Sequence, residues 1–196
     1  MAVTLPQART AEVHVLFNGY VGGHVASTVT YIRDGETHII VDPGMVPQPE
    51  AILGPLSQLG VSAEAITDVI FSHHHPDHTL NAALFPNARF HDHWAIYQGD
   101  LWTDRAAEGY AVSPCVSLAE TPGHTPQDIT TLIGTAEGIV ACTHLWWAAT
   151  GPAEDPLATD SQALHRGRAR ILEIADLKLI VPGHGAPFAP TAQTPR

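Results

Sequence analysis

Seven consecutive residues, Ser72-His73-His74-His75-Pro76-Asp77-His78, constrain this chain more than any other stretch. The run Thr67 to Phe71 before them is β-rich, so the segment opens where a strand ends. Two apart in extended backbone, His73 and His75 project to the same side. Pro76 then turns the chain and delivers Asp77 and His78. Imidazoles and a carboxylate brought to one point at a strand end are the donor set of a zinc or iron centre. The plain alternative is a histidine-rich surface loop. Two further segments weigh against it. Thr121-Pro122-Gly123-His124-Thr125 and Val181-Pro182-Gly183-His184-Gly185 each follow an expected strand and present one histidine on a glycine-bearing turn.

The surrounding pattern is layered. Residues 12–17 alternate polar and apolar, as a half-buried strand does. Val25 to Arg33 and Thr37 to Val41 flank the turn signal Asp34-Gly35 and predict a hairpin. Glu50 to Leu59 carries Ile52, Leu53, Leu56 and Leu59 at helical spacing, and Gly60 stops it. Further strands are expected at Ala88–His91, Val116–Glu120, Ile129–Ile133, Gly138–Cys142 and Leu177–Val181, and a helix at Leu164–Ala175. Trp94–Gly99 reads as irregular or helical, residues 100–114 as a loop, and the Pro- and Ala-rich tail from Pro187 as frayed. No linker or short repeat divides the 196 residues, which predicts a single domain of α/β or α+β type.

Composition narrows the partners. Hydrophobic residues make up 44%, enough for a real core. The net charge of −11 disfavours nucleic acid, whose binding rests on neutralising phosphates. The one basic cluster, His165-Arg166-Gly167-Arg168-Ala169-Arg170, reads as a solvated helix face. Two cysteines make no disulfide framework, and Cys142 reads as a buried structural thiol. No apolar run approaches the roughly 20 residues that span a bilayer, and Met1 to Arg9 lacks the pattern of a secretory leader. A cytoplasmic protein is expected. Of 13 histidines, His14 and His38 read as ordinary strand residues, His91 and His93 around Asp92 as strand surface rather than a second site, and His24 lies on an early loop that could line a pocket. Trp146 and Trp147 read equally as cleft wall or core.

With these residues in view, the chain resembles the metallo-β-lactamase superfamily. The resemblance rests on His73-His74-His75-Pro76-Asp77-His78, on the two Pro-Gly-His turns and on Val41-Asp42-Pro43-Gly44, and it runs from about residue 12 to 188. Short stretches, Leu84-Phe85-Pro86 and Ile174 to Phe188, are similar to one subgroup of small members, some of them linked to RNA cleavage. The resemblance implies an α+β fold, a four-layer αββα sandwich with the metal site at one edge. It implies that His73, His75 and His124 bind a first metal and that Asp77, His78 and His184 bind a second. Asp42 would support the ligand loop by hydrogen bonding, and His74 would be non-ligating.

The chain departs from the family at one place. Where a bridging aspartate is expected, it reads Ala141-Cys142-Thr143-His144-Leu145-Trp146. A carboxylate offers two oxygens and a charge, whereas neutral imidazole offers one lone pair. His144 is therefore expected to ligate one metal and to weaken or respace a dinuclear centre.

The activity implied is metal-dependent hydrolysis. Zn²⁺ is expected, one or two ions, with iron or manganese as alternatives. A bound cation lowers the pKa of its water to about 7 and so makes hydroxide available, with Asp77 helping to orient it as the catalytic carboxylate. The expected partner is a small-molecule ester, thioester or lactone, with no membrane role. The competing readings are a phosphodiesterase or ribonuclease of the same fold, an iron-dependent thiol dioxygenase, and a non-catalytic metal-binding protein.

Overall fold

A computed structural model describes residues 3–196; Met1 and Ala2, the start of the stretch judged not to be a leader, lie outside the described residues. In chain order the strands are β1 (Glu12–Phe17), β2 (Tyr20–Val21), β3 (Val25–Ala26), β4 (Val29–Asp34) and β5 (Thr37–Val41). Helix α1 (Glu50–Gln58), β6 (Asp68–Ile70) and the one-turn helix α2 (Pro76–Thr79) follow. Then come β7 (Arg89–His91), β8 (Ala95–Gln98), β9 (Leu101–Asp104), β10 (Ala111–Ser113), β11 (Val116–Glu120), β12 (Ile129–Thr135) and β13 (Gly138–Thr143). Helix α3 (Ser161–Leu172) and β14 (Leu177–Pro182) close the chain.

Two sheets carry the fold. The first has seven strands in the order β1-β4-β5-β6-β7-β8-β9, and the second has five in the order β10-β11-β12-β13-β14. Strand alternation sorts the side chains into layers. On β5, Ile39 and Val41 point between the sheets, while Ile40 points outward to Ile52 and Leu56 of α1. On β13, Val140 and Cys142 point between the sheets, while Ile139 and Ala141 meet Leu164 and Ile171 of α3. Helix, sheet, sheet and helix thus stack in four layers, as the αββα reading expects.

Local chemistry explains the element ends. Gly35 takes φ +60° in the β4–β5 turn, where a side chain would be strained. Asp160 caps α3 by accepting a hydrogen bond from Ala163 N at 2.9 Å. Among the described residues no helix is long and apolar enough to cross a membrane.

Several expectations need correction. The run 25–33 is two strands, because the backbone N–H groups of Ser27 and Thr28 leave the ladder to reach Asp77 O at 3.2 Å and Gly183 O at 2.8 Å. Trp94–Gly99 is neither irregular nor helical: β8 pairs with β9 around a Gly99-Asp100 turn, and Gly99 takes φ +59°. Residues 100–114 accordingly hold β9 and β10 rather than a loop. Every residue of β9 is exposed on this sheet edge, so no burial period marks it. The tail is docked, not frayed, since Ile180 pairs with Phe188 and Trp146 Nε1 donates to Pro195 O at 2.8 Å.

Candidate metal centre

β6 runs from the first sheet directly into the histidine segment, and the turns after β11, β13 and β14 bring the second sheet's residues to meet it. Pro76 opens α2 with its missing N–H at a position that needs no donor, which turns Asp77 and His78 inward. Close packing holds the turns in place. A Cβ on Gly44 would lie 1.6 Å from Asp77 O, and one on Gly183 would lie 2.3 Å from His144 Cδ2.

The geometry yields two groups. In the first, His75 Nδ1 faces His73 Nε2 at 3.0 Å and His124 Nε2 at 3.1 Å. Nitrogens bound tetrahedrally to one zinc at about 2.1 Å lie roughly 3.3 Å apart, so the spacing suits a shared cation. In the second, Asp77 Oδ2 lies 3.5 Å from His78 Nε2 and 3.6 Å from His184 Nε2. Each set, His73-His75-His124 and Asp77-His78-His184, offers donor atoms within 4.8 Å of one another.

Hydrogen bonds fix the rings. A ring nitrogen that donates to an acceptor leaves its lone pair on the other nitrogen. His78 Nδ1 donates to Asp42 Oδ2 at 2.8 Å, His124 Nδ1 to Asp155 Oδ2 at 2.8 Å and His184 Nδ1 to Ala26 O at 2.9 Å. His73 Nδ1 lies 3.0 Å from the Ser72 hydroxyl. In the first three the Nε2 atom is left for a ligand, and a Ser72 hydroxyl that accepts from His73 Nδ1 leaves it so in the fourth. Asp42 also accepts from Ser72 N at 2.7 Å and holds φ +54°, a conformation that Asp tolerates better than most residues. It thus ties Ser72 and His78 of the histidine segment together.

His144 sits between the two groups. Its ring centroid lies 4.1 Å from that of His124, 4.6 Å from His73, 4.8 Å from His78 and 5.1 Å from His184. It also completes a donor group with His73 and His78. Among the described residues, its Nδ1 is buried without a hydrogen-bond partner, and so is His78 Nε2. Buried imidazole nitrogens without partners are costly unless something ligates them. These residues therefore fit a divalent metal.

Burial and the adjacent imidazoles hold His73 and His144 well below the ordinary histidine range. His75 and His184 are lowered as well, first by burial and then by their imidazole neighbours. Neutral imidazole is the form that ligates. Cys142 is buried in the core, and burial pushes its thiol up to about 12, in keeping with a structural role.

Other expectations resolve differently. His74 turns away from the cluster, its Nε2 lying 3.0 Å from Asp92 Oδ2. His91 is not on the strand surface: it is fully buried, with Nε2 2.8 Å from Asp68 Oδ1. His24 lines a groove with Met45, Val46 and Pro47 rather than the metal cleft. Trp146 is core, whereas Trp147 walls the cleft.

The basic cluster is a solvated face only in part: Arg166 is exposed, but Arg168 and Arg170 are engaged. Arg168 is fully buried and donates to Leu145 O at 2.8 Å, Ala153 O at 2.5 Å and Pro152 O at 2.9 Å. Arg170 reaches Glu108 Oε1 at 2.6 Å and Glu120 O at 3.1 Å. These acceptors lie far away in sequence, and a helical run of Arg gives no sign of them. Asp155 was likewise missed, because its contact with the histidine cluster is to His124, 31 residues away.

A cleft of about 300 Å³ opens above the cluster. His75, Asp77, His124, His144 and His184 form its floor, and Val21, Val25, Trp147 and Leu157 its walls. Among the described residues, no Lys or Arg lines it.

Comparison with known proteins places this arrangement. Residues 22–113 match the profile of the metallo-beta-lactamase superfamily. Metallo-beta-lactamase domain-containing protein 1 of Xenopus laevis is 33% identical over 90% of this chain and 81% of its own length. The Homo sapiens protein of the same name is 35% identical over 76% of this chain, which spans 59% of that longer protein. Among solved structures, a Thermotoga maritima protein assigned to the metallo-beta-lactamases superposes with a TM-score of 0.72 at 25% identity, covering 93% of this chain and all of that one (100%). A quorum-quenching N-acyl homoserine lactone lactonase superposes with a TM-score of 0.61 at 22% identity, covering 94% of this chain and 93% of its own. With its sandwich of two sheets and its histidine cluster at their edge, this chain belongs to the metallo-beta-lactamase superfamily.

Proposed function

We propose that the chain is a metal-dependent hydrolase of a small, uncharged ester, thioester or lactone. The observation that carries this reading is the cleft: donor residues on its floor, apolar walls of Val21, Val25, Trp147 and Leu157, and no cationic side chain to receive a phosphate or carboxylate. His73, His75 and His124 would hold one cation, and Asp77, His78 and His184 a second, with His144 ligating one of them. Zinc suits the histidine-rich set, and iron or manganese fits the same donors. A bound divalent metal supplies Lewis acidity and an acidified water.

The chain's own residues do the rest. Asp77 is half-buried at the floor of the cleft, so the carboxylate oxygen not given to a cation can accept a hydrogen bond from the attacking water and orient it. Trp147 and Leu157 offer apolar surface beside the floor for the uncharged part of a substrate. With no Arg or Lys among the described lining residues, the only positive charge offered to an anionic substrate would be that of the bound cations, and no side chain would orient it. The overall charge of −11 acts in the same direction and supports a small molecule over nucleic acid.

The test is a substrate panel run on metal-loaded protein: short-chain esters, thioesters, lactones and phosphodiesters. Turnover of the carbonyl substrates, abolished by a chelator, is expected. Activity confined to phosphodiesters would overturn the carbonyl assignment. Stoichiometric iron with oxygen consumption on thiols would overturn the hydrolase itself.

A further inference from the structure

We propose that Asp155 is a positioning residue that couples metal binding at His124 to the shape of the cleft wall. The proposal rests on the reading above only in calling Trp147 and Leu157 a substrate wall. Asp155 is buried, and both of its carboxylate oxygens are engaged. Oδ2 accepts from His124 Nδ1 at 2.8 Å and from Trp147 Nε1 at 3.0 Å. Oδ1 accepts from Leu157 N at 2.8 Å. One side chain therefore ties a donor residue of the cluster to both large apolar residues of the wall.

Asp155 also completes a potential donor group with His124 and His144, all three buried. Its oxygens already accept three N–H groups, so a role behind His124 fits better than direct ligation. In that place it puts a negative charge beside His124 and His144, in the part of the cluster where the family's bridging carboxylate is replaced. A carboxylate accepting from the far nitrogen of a ligating imidazole fixes the ring and raises its basicity.

The segment that carries Asp155 cannot yield freely. Arg168, from α3, holds Pro152 O and Ala153 O just before it. Thr159 N donates to His124 O at 3.1 Å just after it. With the backbone held, a change at the His124 ring on metal binding is passed through the shared Asp155 Oδ2 to the Trp147 indole. Oriented acceptors of this kind have two consequences that a purely structural residue would not: they change metal affinity, and they report metal binding at Trp147.

The experiment titrates metal-free protein with zinc alone, following tryptophan fluorescence and fixing affinity by chelator competition. The Trp147→Phe variant identifies the part of the signal that belongs to Trp147. For Asp155→Ala the expected result is zinc affinity weaker by about 10–100-fold, together with loss of the Trp147 signal. Asp155→Asn keeps an acceptor for the indole but loses the charge, so it should keep the signal at reduced affinity. Unchanged zinc affinity in Asp155→Ala, or weakened affinity with the Trp147 signal intact, overturns the proposal. If near-ultraviolet circular dichroism shows that Asp155→Ala does not fold, Asp155→Asn decides: unchanged affinity, or a lost signal, overturns it. No turnover is read, so an empty substrate panel would sink the hydrolase reading and leave this one standing.

Discussion

His144 Nε2 and His184 Nε2 face each other at 3.1 Å, at the junction of the two donor groups. Two neutral imidazole lone pairs at that distance repel unless a proton or a cation lies between them. His144 also lacks the hydrogen-bonded anchor that fixes His73, His78, His124 and His184, since its Nδ1 has no partner among the described residues. The position where the family carries a bridging carboxylate is thus held by a buried ring whose outer nitrogen has no hydrogen bond among the described residues.

We expect any second cation to be the weaker one. In the wild-type protein, elemental analysis after dialysis should find one tightly held metal per chain. His144→Asp returns a charged, two-oxygen donor and should bring the count toward two, with the second affinity rising about tenfold or more. Two equally tight metals in the wild type would show that His144 is no weak point.

Removing a donor from the first group should have a larger effect. His124→Ala or His75→Ala should lose the tight metal and reduce turnover by at least about 100-fold. Metal content and rate are measured on the same preparation. A variant that keeps both shows that the donor assignment is wrong.

Acid stability should depend on Asp92, at the back of the histidine segment. Burial alone would raise this carboxyl. Hydrogen bonds from His74, from Tyr97 Oη at 2.5 Å and from the backbone of Ala95 and Trp94 outweigh it and lower it to about 2. The folded value lies below the ordinary 3.8, so the stabilisation is complete above about pH 4 and is lost as pH falls toward 2. Urea unfolding of metal-free protein between pH 2 and 7 should show Asp92→Asn flattening this acid limb, by up to about 2 kcal/mol. An unchanged limb would refute the assignment.

Arg168 should be one of the most sensitive positions for stability. Arg168→Met fills similar space but leaves the carbonyls of Leu145, Pro152 and Ala153 without their donor. Unsatisfied buried acceptors and a lost charged donor should cost at least about 3 kcal/mol. For a chain of this size that corresponds to a fall in Tm of roughly 6–12 °C. A fall of less than 2 °C would mean that the guanidinium is dispensable.

What could be read in the sequence was local. Ile39, Ile40 and Val41 announce two buried faces by alternation, and the Pro-Gly-His turns carry their ligands in the same few residues that shape the backbone. What could not be read depends on distant partners or on missing burial. β9 is exposed throughout, so Leu101 and Trp102 show no pattern to separate strand from loop. Arg168 is chemically identical to a solvated arginine until the carbonyls of residues 145, 152 and 153 surround it. Asp155 lies 31 residues from His124, and nothing next to it in sequence predicts the contact.

Ser27 and Thr28 leave their ladder to grip Asp77 on one side and Gly183 on the other. The donor cluster is thereby a seam: His73, His75, Asp77 and His78 belong to the half of the chain that ends in β9, and His124, His144 and His184 to the half that follows. Neither half can assemble the cluster alone, so a cation bound there acts as a cross-link that exists only in the docked state. By mass action the docked state gains about 2.7 kcal/mol when free metal stands at 100 times its dissociation constant. Thermal midpoints of this protein should therefore follow the free zinc concentration, and a chelator should loosen the seam before it unravels either sheet.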